Sequence, residues 1–232
     1  MDLTVEKRLV LGPEPDDVRA VALMLHGGAE RGHDPIDERS LAFRRTRWMT
    51  TTISGRLARS GVRTAMLRFR VKGWNAQRAG SVATDANAGH EPEPSPVADA
   101  RDALAHLRAN VPDLPIVLVG HSMGARTAAW VADEPGVVGV VGLAPWLPPD
   151  DPVHALAGRH LVAAHGRRDR ITSARATAAY VRRAERVAAS AQFLDMGALG
   201  HYMVTGVRRW NATAVAATLS IVDAAADVTS RE

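Results

Sequence analysis

Short apolar runs rich in Val, Leu, Ile and Ala alternate along this chain with stretches whose apolar positions recur every three or four residues. The first kind reads as strand and the second as helix. Strands are expected over Thr4–Leu11, Val18–Leu25, Val62–Phe69, Ile116–Val119, Val137–Leu143, His160–Ala164 and Ala191–Met196. Helices are expected over Phe43–Ser60, Val97–Ala109, Met123–Asp133, Ser173–Val187 and Gly206–Ala226. In Val97–Ala109 the apolar side chains Val97, Ala100, Ala103, Leu104 and Leu107 share one face, opposite Asp99, Arg101, Asp102 and Arg108. Ile116-Val117-Leu118-Val119 has no polar alternation, as a central parallel strand buried on both faces requires.

This order predicts an α/β fold, a doubly wound, mostly parallel sheet with helices on both faces. At 232 residues the chain has the length of one such domain, expected to span 1–232. Ala29–Leu41 and Val71–Pro96 fit neither pattern. Long connections of this kind inside a compact domain often serve a site.

Composition narrows the function classes. Apolar residues make up 46% and charged residues 23%, the proportions of an ordinary globular protein. The longest wholly apolar or glycine stretch, Val137–Ala144, is far short of the roughly 18 residues that span a bilayer. The N-terminal residues carry acids among bases and lack an apolar block, so no secretory signal is read and a cytoplasmic location is expected. Cysteine is absent, which removes disulfides, thiolate metal sites and a cysteine nucleophile. Lys occurs only at Lys7 and Lys72, so Arg supplies 27 of the 29 basic residues. These arginines are interleaved with acids and form no basic run, which argues against nucleic acid as a partner. No lysine closes a phosphate-binding G-x-x-x-x-G-K-[ST] loop, no H-E-x-x-H occurs, and glycines 136, 139 and 142 lack dinucleotide spacing. Neither a cofactor nor a metal is expected.

Gly120-His121-Ser122-Met123-Gly124 has the form G-x-S-x-G and stands between an apolar strand and a helical pattern. A sharp strand-to-helix turn there would lift the Ser122 hydroxyl above the sheet edge. His26-Gly27-Gly28-Ala29 follows another strand, and a Gly-rich turn can bring a bare amide near a reacting carbonyl. The N–H groups of Met123 and Gly28, with Ala29 as the alternative to Gly28, are the candidate oxyanion donors. His165-Gly166-Arg167-Arg168-Asp169 follows a third strand and offers Asp169 at the sheet edge where ligands gather. His201, after the last strand, has the side chain best suited to take a serine proton and return it to a leaving group. A carboxylate on its other nitrogen would hold the required tautomer.

The chain order Ser122, Asp169, His201 is the one associated with α/β-hydrolases. From about Val18 to Ala226 the sequence resembles that superfamily, through HGG at His26–Gly28, GHSMG at Gly120–Gly124, HGRRD at His165–Asp169 and GH at Gly200-His201. It is similar to the small, lid-poor members, the dienelactone-hydrolase-like and carboxylesterase-like group. The dienelactone hydrolases proper use cysteine, so their substrate does not carry over. Between Leu143 and His160 there is room only for a short loop or one small helix where larger relatives insert a lid.

Asp195 rivals Asp169 as the acid because it closes the strand before His201, and Asp150 and Asp151 occupy a less common acid position. Trp74, Trp146 and Met203 are candidate walls of a substrate pocket, against ordinary packing. Arg68, Arg70 and Lys72 are candidates for an anionic substrate group, against salt bridges. His121, His26 and His165 are read as structural. The expected activity is hydrolysis of a small-molecule carboxylic ester or thioester through an acyl-serine intermediate. The alternative is a non-catalytic binding or scaffold protein that keeps the fold.

Overall fold

A computed structural model describes residues 4–75, 93–111 and 113–229. Seven strands form one sheet: β1 Leu9–Leu11, β2 Ala20–Leu25, β3 Val62–Leu67, β4 Ile116–His121, β5 Val137–Leu143, β6 His160–His165 and β7 Ser190–Asp195. Their spatial order is β1-β3-β2-β4-β5-β6-β7. Only β1 runs antiparallel, against β3; the other pairings are parallel.

Every residue of β2 and β4 is buried, and alternate side chains feed different cores. Val21, Leu23, Leu25, Ile116 and Leu118 face one core, completed by α3 Ser95–Asn110, α4 Met123–Trp130 and α5 Ala174–Ala184. Ala22, Met24, Val117 and Val119 face the other, completed by α2 Leu41–Ala58 and α6 Val207–Thr229. An unbroken apolar run is therefore a period-2 pattern read on both faces at once.

The chain runs from β2 outward to β3, then crosses to β4 on the other side of β2. That reversal opens a crevice beyond the carboxyl ends of β2 and β4, where the order of an α/β sheet switches and ligands bind. His26-Gly27-Gly28 and Ser122 leave the sheet at this place.

One expected strand is corrected. Thr4–Leu11 is a one-turn helix, α1 Val5–Arg8, followed by the short β1. Glu6 in its first turn and Lys7 and Arg8 in its last suit the helix dipole. Val5 and Leu9, four residues apart, both pack on the core, and Arg8 is drawn inward to Asp99 of α3 at 3.0 Å. The other expected strands and helices are present with ends displaced by a few residues. Residues 76–92 of the unassigned Val71–Pro96 segment lie outside the described residues.

Candidate active site

Ser122 sits between β4 and α4 with φ 54° and ψ −116°, a left-handed backbone that costs a non-glycine residue on the order of 1–3 kcal/mol. Neighbouring atoms hold it there. Its N–H donates to the Leu143 carbonyl at 3.1 Å, and its carbonyl accepts from Trp146 and Ala125, each at 3.1 Å. The flanking glycines are needed for close approach. A Cβ on Gly120 would lie 2.3 Å from the Ala125 nitrogen, and one on Gly124 would lie 2.2 Å from the Leu25 carbonyl.

His201 Nε2 is 3.1 Å from Ser122 Oγ, and His201 Nδ1 is 2.8 Å from Asp169 Oδ2. An ionised carboxylate only accepts, so Nδ1 carries the hydrogen and Nε2 presents its lone pair to the serine hydroxyl. Asp169 Oδ1 accepts the N–H groups of Ile171 at 2.8 Å and Thr172 at 2.9 Å. Oδ2 also receives the Thr172 hydroxyl at 2.9 Å and faces His165 Nε2 at 3.1 Å. Burial pushes the Asp169 pKa up, but hydrogen bonds from His165, His201 and the two amides outweigh it and hold the carboxyl well below the usual range.

The loops bearing Asp169 and His201 are laced together. Arg167 N–H donates to Gly197 O at 2.6 Å, and Arg168 N–H to Leu199 O at 3.1 Å. Gly166 makes this possible, because a Cβ there would lie 2.1 Å from the Leu199 carbonyl oxygen.

Other acids are engaged elsewhere. Asp195 accepts from the Gly197 N–H at 2.7 Å and pairs with Arg167 at 3.1 Å. Asp151 forms a bidentate pair with Arg126, both bonds at 2.6 Å, and Asp150 is exposed.

The Gly-rich turn after β2 approaches Met123 so closely that a Cβ on Gly28 would meet its Cε at 2.4 Å and the Lys72 carbonyl at 2.5 Å. Ala29, the alternative donor, has its N–H occupied by that same carbonyl at 2.9 Å. Gly28 is exposed, and Met123, as the first residue of α4, has an N–H with no carbonyl partner inside the helix. His26 braces the turn: its Nε2 accepts from Phe69 N–H at 3.1 Å and its Nδ1–H donates to Gly27 O at 2.7 Å. Burial, reinforced by Arg68 and opposed by the Gly27 bond, lowers its pKa to about 4 and keeps the ring neutral.

A cavity of about 780 Å³ opens above Ser122 and His201, with Gly27, Gly28 and His121 also in its lining. Its outer walls come from residues 34–37 and the start of α2 on one side and Tyr202 and Val204 on the other. Trp74, Trp146 and Met203, candidate pocket walls in the sequence, do not line it. Trp74 and Trp146 clasp the Arg126 guanidinium from 4.1 and 4.4 Å, and Met203 is wholly buried. Of the three basic candidates only Lys72 reaches the cavity, since Arg68 turns to Glu38 and Arg70 to Asp99.

Several residues at the site had no distinct signal in the sequence. Thr172 touches Asp169 through a loop, and His121 Nε2 lies 3.0 Å from the His201 carbonyl. His165, four residues before Asp169, stood in view in the HGRRD motif but without a partner. Among the described residues no group of three or more His, Cys, Asp or Glu converges as ligands for a metal ion.

Comparison with known proteins bears on the fold and the family. A family model described as serine aminopeptidase, S33 matches residues 55–192, a span that holds Ser122 and Asp169 and stops before His201. A search of curated proteins found no match. Among solved structures, a lidless α/β serine hydrolase from Xanthomonas campestris superposes with a TM-score of 0.61 at 16% identity, over 91% of this chain and 88% of that one. An α/β serine hydrolase homologue from Coxiella burnetii gives 0.60 at 15% identity over 89% of each chain. Esterase 2 of Thermogutta terrifontis, phosphonylated by cyclosarin, gives 0.62 at 14% identity over 89% and 86%. At these identities the likeness establishes the fold, the α/β-hydrolase fold, and the family match adds the lineage. With more than half of its residues inside the matched span, the chain belongs to the serine aminopeptidase S33 family of α/β serine hydrolases.

Proposed function

We propose that this protein hydrolyses a small carboxylic ester or thioester through an acyl-enzyme on Ser122. One observation carries the reading: the hydrogen-bonded series Ser122 Oγ, His201 Nε2, His201 Nδ1, Asp169 Oδ2, with the hydroxyl at the floor of a cavity.

Ser122 Oγ attacks the substrate carbonyl carbon while His201 Nε2 takes its proton. Asp169, kept ionised by its five donors, fixes the His201 tautomer and supports the imidazolium that forms. The N–H groups of Gly28 and Met123 receive the oxyanion. As the tetrahedral intermediate collapses, the carbon–oxygen or carbon–sulfur bond breaks and His201 returns the proton to the leaving alcohol or thiol. Water then attacks the acyl-serine with His201 again as base, and the carboxylic acid departs. No cofactor enters this sequence.

A fluorophosphonate probe uses the same base and oxyanion donors as an ester. It should add once, at Ser122, and leave the other nine serines unmodified. Ser122→Ala should abolish labelling and lower kcat by roughly 10⁴–10⁶ with little change in Tm. A folded protein that takes no probe at Ser122 would overturn the proposal in favour of a binding role.

The family's description favours a second reading, cleavage of a peptide from its amino end. Asp34 and Asp37 in the cavity wall are the carboxylates that would face a substrate's ammonium group. Faster turnover of aminoacyl p-nitroanilides than of p-nitrophenyl esters would select it.

A further inference from the structure

The cavity above Ser122 is rimmed by large apolar side chains held in water. Leu41, the first residue of α2, is 80% exposed; Val204 is 70% exposed and Tyr202 61%. Each could have been polar without loss to either core, since none belongs to one. Apolar side chains gathered on one rim, with Ile36 behind them, are the mark of a binding surface rather than of scattered surface residues.

The charges around this cavity nearly balance. Asp34, Asp37, Arg39, Arg45 and Lys72 contribute to its lining. Arg45 is committed, since its guanidinium donates to the carbonyls of Tyr202, at 2.8 Å, and Met203. That clamp ties α2 to the loop after His201 and sets the width between Leu41 and Val204. Those carbonyls are neutral and leave the Arg45 charge in place, so two acids stand against three bases, and this near balance leaves the apolar rim to select the substrate.

We infer that the cavity receives a neutral, apolar portion of the substrate, seated between Leu41 of α2 and the Tyr202 and Val204 side chains that follow His201. The inference rests on the ester-hydrolase reading and names the substrate class within it. A volume of about 780 Å³ is within the range of small-molecule sites, most of whose walls are apolar. Burial of the substrate's alkyl groups against this rim supplies the binding energy, and the glycine turn and His201 orient the carbonyl.

The test is a series of p-nitrophenyl esters from acetate through butyrate and hexanoate to octanoate, with p-nitrophenyl hemisuccinate as the charged counterpart of butyrate. In the unaltered protein kcat/KM should rise along the neutral series, by up to about fourfold per methylene, and hemisuccinate should fall below butyrate. Leu41→Asp and Val204→Asp should each pull the octanoate-to-acetate ratio of kcat/KM toward one. Turnover with a flat or falling series, or hemisuccinate ahead of butyrate, would overturn the apolar assignment and leave the serine hydrolase standing. Absence of turnover on every ester, together with no phosphonylation of Ser122, would overturn both. The wild-type series decides the matter even if a rim variant fails to fold.

Discussion

At the residue scale the site turns on which carboxylate serves the histidine. Asp169 and Asp195 both stand at strand ends near His201 in sequence, yet only Asp169 contacts the ring. Asp195 spends its oxygens on the Gly197 amide and the Arg167 guanidinium, beside bulk solvent. Asp169→Asn should therefore lower kcat about 10⁴-fold, because the amide no longer enforces the tautomer that presents Nε2 to the serine. Asp195→Asn should retain most of the activity. Ester hydrolysis by the two variants measures the difference directly, and a crippled Asp195→Asn beside an active Asp169→Asn would reverse the assignment. The strained backbone of Ser122 has company: Asn75, Ala144 and Met203 also have positive φ, and all three lie in connections that follow strands or close on the site. Each is held by hydrogen bonds from a neighbouring segment, as the Ala144 N–H to the Ala164 carbonyl at 2.8 Å illustrates.

At the scale of elements, geometry depends on loops that cross without room for side chains. The turn after β6 lies on the 197–200 segment through Gly166, and this crossing sets the distance between Asp169 and His201. Gly166→Val must push one loop off the other. An overpacking penalty of about 1–3 kcal/mol is expected in stability. Activity should suffer more, since a displacement of about 1 Å at a catalytic group can cost about 10²-fold. A Tm measurement beside kcat would show the disproportion; a loss of activity no greater than the fraction unfolded would mean that the crossing does not position the pair.

Across the whole molecule, the buried histidines couple stability to pH. His26 is held to about 4, first by burial and then by Arg68 against the Gly27 bond; His121 is held to about 3 by burial and the neighbouring His201. Both fold as neutral rings, whereas in the unfolded chain they titrate near 6.5. Below that value the unfolded state binds more protons, so stability is complete above about pH 6.5 and falls as the solution is acidified toward pH 4. Each ring contributes a slope of about 1.4 kcal/mol per pH unit in that window. Asp169, whose pKa is lowered on folding, adds a loss only below the ordinary carboxylate range. Denaturant unfolding from pH 7.5 to 4.5 should show a midpoint that is level and then declines. A level midpoint throughout would mean that the rings are not held neutral.

The sequence by itself determined the alternation of strands and helices, the strand-turn-helix at Ser122, the Gly-rich turn at His26–Gly28 and the order of a serine, candidate acids and a histidine beyond successive strands. These are local properties, set by side-chain periodicity and by glycine where backbone segments touch. Two kinds of feature escaped it. Thr4–Leu11 looks extended in isolation, yet Arg8 reaches a buried Asp99 from far along the chain and a helical turn delivers it there. Trp74 and Trp146 look like pocket walls, yet Arg126, projecting from α4 with its charge matched by Asp151, fills the space between them. The choice of Asp169 over Asp195, the loss of Ala29 as a donor and the place of the cavity beside α2 were decided only in three dimensions. Each depends on which segments the sheet order brings together, and the pairing of distant loops leaves no periodic trace in the chain.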